Sequence, residues 1–339
     1  MARFDVTDAE WALIEGHLPV AATGPLPRRV RDQFNGILWW FRAGTGWRDV
    51  PERYGPWSTV YSRFNAWSKA GVFQALMEAL IAEAAGRGRV GLELVSVDST
   101  VVRAHHESAG LAVAGETLDA LEQALTEEKG GSAGPAGPGP AGDTPQAAPG
   151  TGSADRAGRD PAAARRRRGT RAKAAGLGRS RGGLSSKIHT AVDASGLPLV
   201  FVLTPGQTGD SPQFRTVLDR IRVAGRAGRP RTRPGAVAAD KAYSSRANRA
   251  YLRRRGIVSV IPEKNDQAAN RKKKGSSGGR PVTFDPHRYK QRNTVERCFQ
   301  KVKTWRGLAT RYDKSPESYE AGLHLRGSIM RLKHITSTT

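Results

Sequence analysis

Three carboxylates stand in this chain at positions where an acidic side chain is costly unless it is put to use. Asp98 interrupts the β-branched run "VSVDSTVV", and an aspartate in mid-strand runs against strand propensity. Asp240 closes the short apolar run "PGAVAAD" just ahead of "KAYSS", at a strand end, where α/β folds place functional groups. Glu296 sits in the middle of the cationic stretch "DPHRYKQRNTVERCFQKVKTWRGL", residues 285–308. Three carboxylates at one point repel each other unless divalent cations hold them. Two such cations, about 4 Å apart, activate an attacking oxygen and stabilise the leaving one in phosphodiester displacement. The three meet only if the strands carrying Asp98 and Asp240 are neighbours and the helix carrying Glu296 packs across them.

The helical face of that last stretch bears on the question. At about 100° per residue, Tyr289, Arg292, Glu296 and Lys303 share a stripe roughly 60° wide. Val295, Cys298, Phe299, Val302 and Trp305 fall on the adjoining side and form the packing face. On this stretch alone, Glu296 also reads as an ordinary surface residue ion-paired one turn away, to Arg292 among others.

The elements around these positions follow from composition and pattern. The 339 residues leave room for two domains, and 38% hydrophobic residues suffice for a core. The net charge of +24, with an isoelectric point near 10.9, favours a polyanionic partner. No window has the apolar length of a membrane span, and "MARFDVTDAEW" has no signal-peptide core, so the expected setting is cytoplasmic, on nucleic acid. A single cysteine, Cys298, excludes an internal disulfide and a cysteine-based zinc site, and reads as a small buried apolar residue.

Residues 1–86 read as several short helices. "TDAE" at Thr7 to Glu10 is a capping box, a second helix runs from about Pro27, and "AGTGW" breaks it. In the third, "GPWSTVYSRFNAWSKAG", Val60, Phe64 and Trp67 point inward while Tyr61, Arg63, Asn65 and Lys69 point outward; a fourth follows Gly71. With the global charge, this suits a helix-turn-helix-like DNA module in which Arg63 and Lys69 reach DNA. The alternative is a small bundle whose cations are merely solvated. Residues 108–180 then read as a Gly/Pro/Ala-rich basic linker, with Gly130 to Arg165 expected to have no fixed structure and a short helix allowed at "GETLDALEQALTEEK". Outside it the order is strand, strand, strand, helix, strand, helix, strand, helix, which is a mixed α/β layer, with a hairpin turning at Asp193 to Gly196.

Taken together, "VSVDST", "GRSRGGLSSKIHTAVDASGLPLVFVLTPGQTGDSPQF", "ADKAYSS" and "YKQRNTVERCFQKVKTWRGLATRYDKSPESY" resemble the Asp-Asp-Glu transposases of bacterial insertion sequences, specifically the insertion sequence five group. That family's last-helix signature is Tyr, two residues, Arg, three residues, Glu, six residues, Lys. Tyr289, Arg292, Glu296 and Lys303 meet it, and Asp240, Ala242 and Tyr243 meet the second-carboxylate pattern. The resemblance implies a ribonuclease-H-like mixed sheet with flanking helices over residues 87–339, preceded by the all-α domain of residues 1–86. It implies Asp98, Asp240 and Glu296 as catalytic metal ligands for two Mg2+ ions, with Mn2+ able to substitute. Tyr289, Arg292 and Lys303 would position phosphates of double-stranded DNA, transposon ends and target alike, in a homodimer or higher assembly. The reaction implied is cleavage at the element's ends and transfer of the 3′ hydroxyl to target DNA.

Other polar residues are assigned plainer roles. His105 and His106 have no second histidine pair at ligand spacing and read as solvated or DNA-facing. Asp193 reads as a turn residue and Asp210 as a helix cap. "GRSRGG" lacks the Gly-Lys-Ser/Thr ending of a phosphate loop, and nothing suggests a nucleotide cofactor. The competing functions are a non-catalytic DNA-binding repressor descended from a transposase, and a structure-selective nuclease. Inverted repeats flanking the gene, with short target duplications outside them, separate the first reading from both.

Overall fold

The computed structural model describes residues 5–19, 29–105, 108, 170, 174–225 and 227–337. Its centre is β1 (Val95–Ala104), where Val95, Val97 and Val102 bury their branched side chains. β1 pairs antiparallel with β3 (Gly183–Val192), which continues through a tight turn into β4 (Pro198–Pro205). The turn is where the sequence places it. Gly196 takes a left-handed φ of 72°, and the Asp193 carboxylate accepts a hydrogen bond from the Leu197 amide at 3.0 Å. On its other edge β1 runs parallel to β5 (Ala236–Ala239), and β5 runs parallel to β6 (Val258–Val260). The strand order β4-β3-β1-β5-β6, with two short additions, makes the expected ribonuclease-H-like mixed sheet. The additions are β2 (Gly178–Ser180) beside β3 and β7 (Thr310–Arg311) beside β1.

β2 lies within the stretch expected as linker, residues 108–180, and shortens it. Gly178 to Ser180 pair with the start of β3, and Ala175 and Leu177 are buried. Backbone groups at this sheet edge are satisfied by the ladder, so order begins before the basic composition ends. The low-complexity stretch itself, including Gly130 to Arg165, lies outside the described residues, as does His106.

The N-terminal helices form as their patterns dictate. α1 (Asp8–Ala12) carries the reciprocal capping box, Thr7 Oγ1 accepting from Glu10 N and Glu10 Oε2 from Thr7 N. α2 (Val30–Ala43) ends at Gly44, α3 (Trp57–Lys69) buries Val60, Phe64 and Trp67, and α4 (Val72–Gly86) starts after Gly71. These helices share one continuous core with the sheet and with the long helix α11 (Pro316–Thr336). Phe41 of α2 lies 6.5 Å from the Trp305 ring, and a Cβ on Gly322 of α11 would come within 2.3 Å of Phe41. The described helices ahead of Arg87 therefore pack as a layer against the sheet's core.

α5 (Asp210–Asp219) packs on β3 and β4, and α6 (Arg246–Arg254) and α7 (Asn265–Lys273) bracket β6 in the chain. The basic stretch of residues 285–308 is not one helix. It divides into α8 (Pro286–Lys290), α9 (Asn293–Lys303) and the short α10 (Arg306–Ala309). The junction tightens into i→i−3 bonds, Arg292 N to Tyr289 O and Val295 N to Arg292 O. Tyr289 packs against Leu94, Ala236, Ala238 and Val260, whereas Val295, Cys298, Phe299 and Val302 face the main core. A straight helix cannot serve both clusters. No helix among the described residues is long and apolar enough to cross a membrane.

Candidate active site

The register between β1 and β5 decides where the first two carboxylates stand. Val95, Ser96 and Val97 pair with Val237, Ala238 and Ala239, so the next residue along each strand is Asp98 and Asp240. Parallel neighbours lie about 4.8 Å apart, and residues at matching positions point to the same face. Asp240 also caps the 3₁₀ turn of Lys241–Tyr243, its Oδ1 accepting from Ala242 N at 2.8 Å. At this point β1 leaves β5 and continues beside the antiparallel β3, meeting a parallel neighbour again only at Arg103 and Ala104, where β7 joins it; such a switch in topology is where α/β sheets place their functional groups.

α9 lies along β1 and supplies the third. Thr294 Oγ1 meets Ser96 Oγ at 3.3 Å, and at the other end Lys303 Nζ donates to Thr100 Oγ1 at 2.8 Å and to the Val101 carbonyl at 3.1 Å. Between them Arg292 spans two carboxylates, donating to Asp98 Oδ2 at 2.8 Å and to Glu296 Oε1 at 2.6 Å. The Arg292–Glu296 ion pair of the plainer reading is thus present, and the same guanidinium joins Glu296 to Asp98. Because residues three apart eclipse in a 3₁₀ turn, Tyr289 stays on the side of Arg292 despite the break. Burial raises the Tyr289 phenol; Arg292 opposes this, while Asp240, Asp98 and Glu296 add to it.

Burial and neighbouring charges act together on Asp98. Burial pushes Asp98 up to about 6; the Ser99 amide and Arg292 pull it down, and Asp240 and Glu296 push it further up. Tyr243, buried against the Phe214 ring at 5.5 Å, is raised far above an ordinary phenol by burial and by the charges of Asp210, Asp98 and Asp240. Burial lowers Lys303.

A donor set of three carboxylates suits a hard, oxygen-seeking cation such as Mg2+ or Mn2+. Among the described residues no three metal-ligating side chains stand close enough to form a ready-made metal group. Arg292 accounts for this at Asp98 and Glu296, where its guanidinium supplies the positive charge between them. In chemical kind the three carboxylates fit a divalent cation, and in this arrangement Arg292 holds the charge of two of them.

The plainer assignments are partly revised. Asp210 is not the cap of α5; Gly209 holds that position. The Asp210 Oδ1 atom instead accepts from Ser99 Oγ at 2.6 Å and from Lys187 Nζ at 3.0 Å, and lies 4.0 Å from His189 Nδ1. It thus forms a second layer directly beside Asp98. The available signal was Lys187, a lone cation in the largely buried β3, which needs an acceptor. Asp193 does form the turn, but it is also fully buried against Arg331 of α11 at 2.7 Å. The His105 ring lies tilted against that of Tyr312, with centroids 4.9 Å apart. Arg63 and Lys69 lie on α3; Arg63 is half-buried with its guanidinium 5.4 Å from the Trp67 ring centre, and Lys69 is exposed.

Residues 90–325, well over half of the chain, match the family model described as "Transposase DDE domain". The chain is a DDE-family transposase. Residues 6–77 match a second model, described as "Putative transposase of IS4/5 family", so the helical layer and the sheet both point to insertion-sequence transposases. Among curated proteins, the chain is 29% identical to the "Putative transposase for insertion sequence element IS6501" of Brucella ovis, over 44% of this chain and 100% of that protein. It is 34% identical to the "Putative transposase for insertion sequence element IS402" of Burkholderia cepacia, over 41% of this chain and 59% of that one. Of solved structures, the Mos1 strand transfer complex aligns over 95% of this transposase and 82% of that chain, at 10% identity and a TM-score of 0.24.

Proposed function

We propose that this transposase cuts the ends of its own insertion sequence and joins the freed 3′ hydroxyl to target DNA, with Asp98, Asp240 and Glu296 as its metal-holding residues. The observation that carries this reading is the β1/β5 register, which brings Asp98 and Asp240 side by side, together with the Arg292 bridge from Asp98 to Glu296. Domains of this family generally work with divalent metal ions. Two Mg2+ ions, with Mn2+ as a substitute, would activate the attacking oxygen and stabilise the leaving one.

The chain's own residues have separate tasks. Asp98 and Asp240 sit on rigid strand positions, so their spacing is set by the sheet rather than by a mobile loop. Glu296 is half-exposed on α9, free to adjust as Arg292 swings from the carboxylates toward a phosphate. Arg292 presents a planar fork that suits phosphate oxygens as well as carboxylates. Lys303, held over β1 by Thr100 and Val101, and Tyr289 would line the path of the DNA backbone. The helical layer of residues 1–86, through Arg63 and Lys69, would recognise the transposon ends, with a dimer or larger assembly pairing two ends.

The test is cleavage of labelled transposon-end DNA with Mg2+, wild type beside Glu296→Gln. The nearly isosteric change removes one carboxylate charge; cleavage should be lost while DNA binding survives, because phosphate affinity comes from Arg and Lys. Equal cleavage rates would return Glu296 to the status of an ion-paired surface residue.

A further inference from the structure

Between Asp240 and Glu296 the chain builds a second feature that the carboxylate site does not use. A cleft of about 470 Å³ opens between α6, α7 and the segment that follows α7. Arg246, Arg249 and Arg253 line one wall from α6, at spacings that place them on one helical face. Arg271, Lys274 and Arg280 line the other, and Glu263 is the cleft's single carboxylate.

Two of these six cations are committed to the fold. Arg249 donates to the Ile261 and Pro262 carbonyls at 3.0 and 3.3 Å, and Arg271 forms a two-pronged pair with Glu263 at 3.0 and 3.3 Å. The other four, Arg246, Arg253, Lys274 and Arg280, are exposed and make no side-chain hydrogen bond or ion pair among the described residues. Like charges crowded around one concavity repel, so this arrangement costs stability unless an anion fills it. Repeated guanidinium forks match the oxygens of phosphodiesters.

The cleft's position says which phosphodiesters. Ser244 lines it, with its hydroxyl donating to Gln267 Oε1 at 2.9 Å, and the four steps from Asp240 to Ser244 follow the 3₁₀ turn that carries Tyr243. At about 2 Å per residue that turn spans roughly 8 Å. A DNA strand rises 3.4 Å per nucleotide, so the cleft begins about two to three nucleotides from a phosphate held at Asp240. Resting on the proposed carboxylate chemistry, we propose that this cleft is a separate phosphate site. It grips the backbone of the DNA strand leading away from the scissile bond, through Arg246, Arg253, Lys274 and Arg280.

The test is binding of duplex DNA by fluorescence anisotropy across a salt series, using the full-length protein without divalent metal. Arg253→Ala with Arg280→Ala should lower the slope of log affinity against log salt by about two, and weaken binding at least tenfold near physiological salt. Arg253→Lys with Arg280→Lys should keep most of the slope. A control pair of exposed arginines outside the cleft, Arg222→Ala with Arg233→Ala, removes the same charge and should change the slope by well under one. An unchanged slope in the cleft pair, or an equal fall in the control pair, overturns the proposal. Because the readout is binding without metal, it stays separate from the Glu296→Gln cleavage test. Cleavage intact in Glu296→Gln with the cleft slope reduced would sink the carboxylate reading alone, and the converse would sink the cleft alone.

Discussion

The Arg292 guanidinium lies 2.8 Å from Asp98 Oδ2, and this contact makes a side chain of the protein the resident cation of the carboxylate site. Arg292 and a divalent ion compete for the same negative charge. Arg292→Gln should therefore tighten Mn2+ binding to the DNA-free protein, roughly tenfold for the removal of one competing cation worth about 1.4 kcal/mol. Titration of free Mn2+ by electron paramagnetic resonance reads this directly. Unchanged or weaker binding in the variant would show that Arg292 supports the site instead of occupying it.

The raised Asp98 sets a pH dependence with a definite sign. Its carboxyl titrates near 3.8 when unfolded and at about 6 in the fold, so the native state holds the proton more tightly between those values. Stability attributable to Asp98 is then present below pH 4 and is lost as pH rises through 6, by up to roughly 3 kcal/mol. Asp98→Asn should melt higher than wild type at pH 8 without metal, and the gap should close on approaching pH 4. A gap that stays constant from pH 4 to pH 8 would contradict the assigned cause.

Asp193 and Arg331 form an ion pair from which water is excluded on both sides. Removing one partner leaves the other charge buried, which costs about 3–5 kcal/mol. Arg331→Met should lower the urea midpoint sharply, because it unlocks α11 from the β3–β4 turn; Asp193→Asn with Arg331→Met together should recover part of the loss. If the double variant is as unstable as the sum of the singles, the two residues do not act as a pair.

Deleting residues 1–86 is a poor test of end recognition, because Phe41 and Met77 belong to the core that α11 also needs. Point changes avoid this. Arg63→Ala with Lys69→Ala should weaken binding to transposon-end DNA about tenfold, with a smaller effect on unrelated duplex. Equal losses on both DNAs, measured by competition, would place recognition elsewhere.

Much of this architecture could be read along the chain. The branched runs at Val95 to Val102 and Ile257 to Val260, the Asp193–Gly196 turn and the α1 capping box are local, and the backbone follows them because propensity, turn chemistry and periodicity agree. The candidate carboxylates were legible for a related reason: Asp98 and Asp240 break the patterns around them. Glu296 was ambiguous by sequence, and both of its readings coexist in the Arg292 bridge.

The rest depended on contacts between residues far apart in sequence. Tyr289 and Val302 serve different apolar clusters, so the helix expected through both is broken at Gln291–Arg292, a choice helical periodicity cannot register. Asp210 looked like a cap because its local sequence suits one, yet Ser99 and Lys187 offer it stronger donors from other strands. Asp193 reads identically as an exposed turn residue or a buried one until α11 brings Arg331 against it. Local patterns determined which elements form and which residues are costly where they stand. Tertiary packing decided which charges meet, because the energy of a charge is set by what surrounds it at a few ångströms and not by its neighbours in the chain.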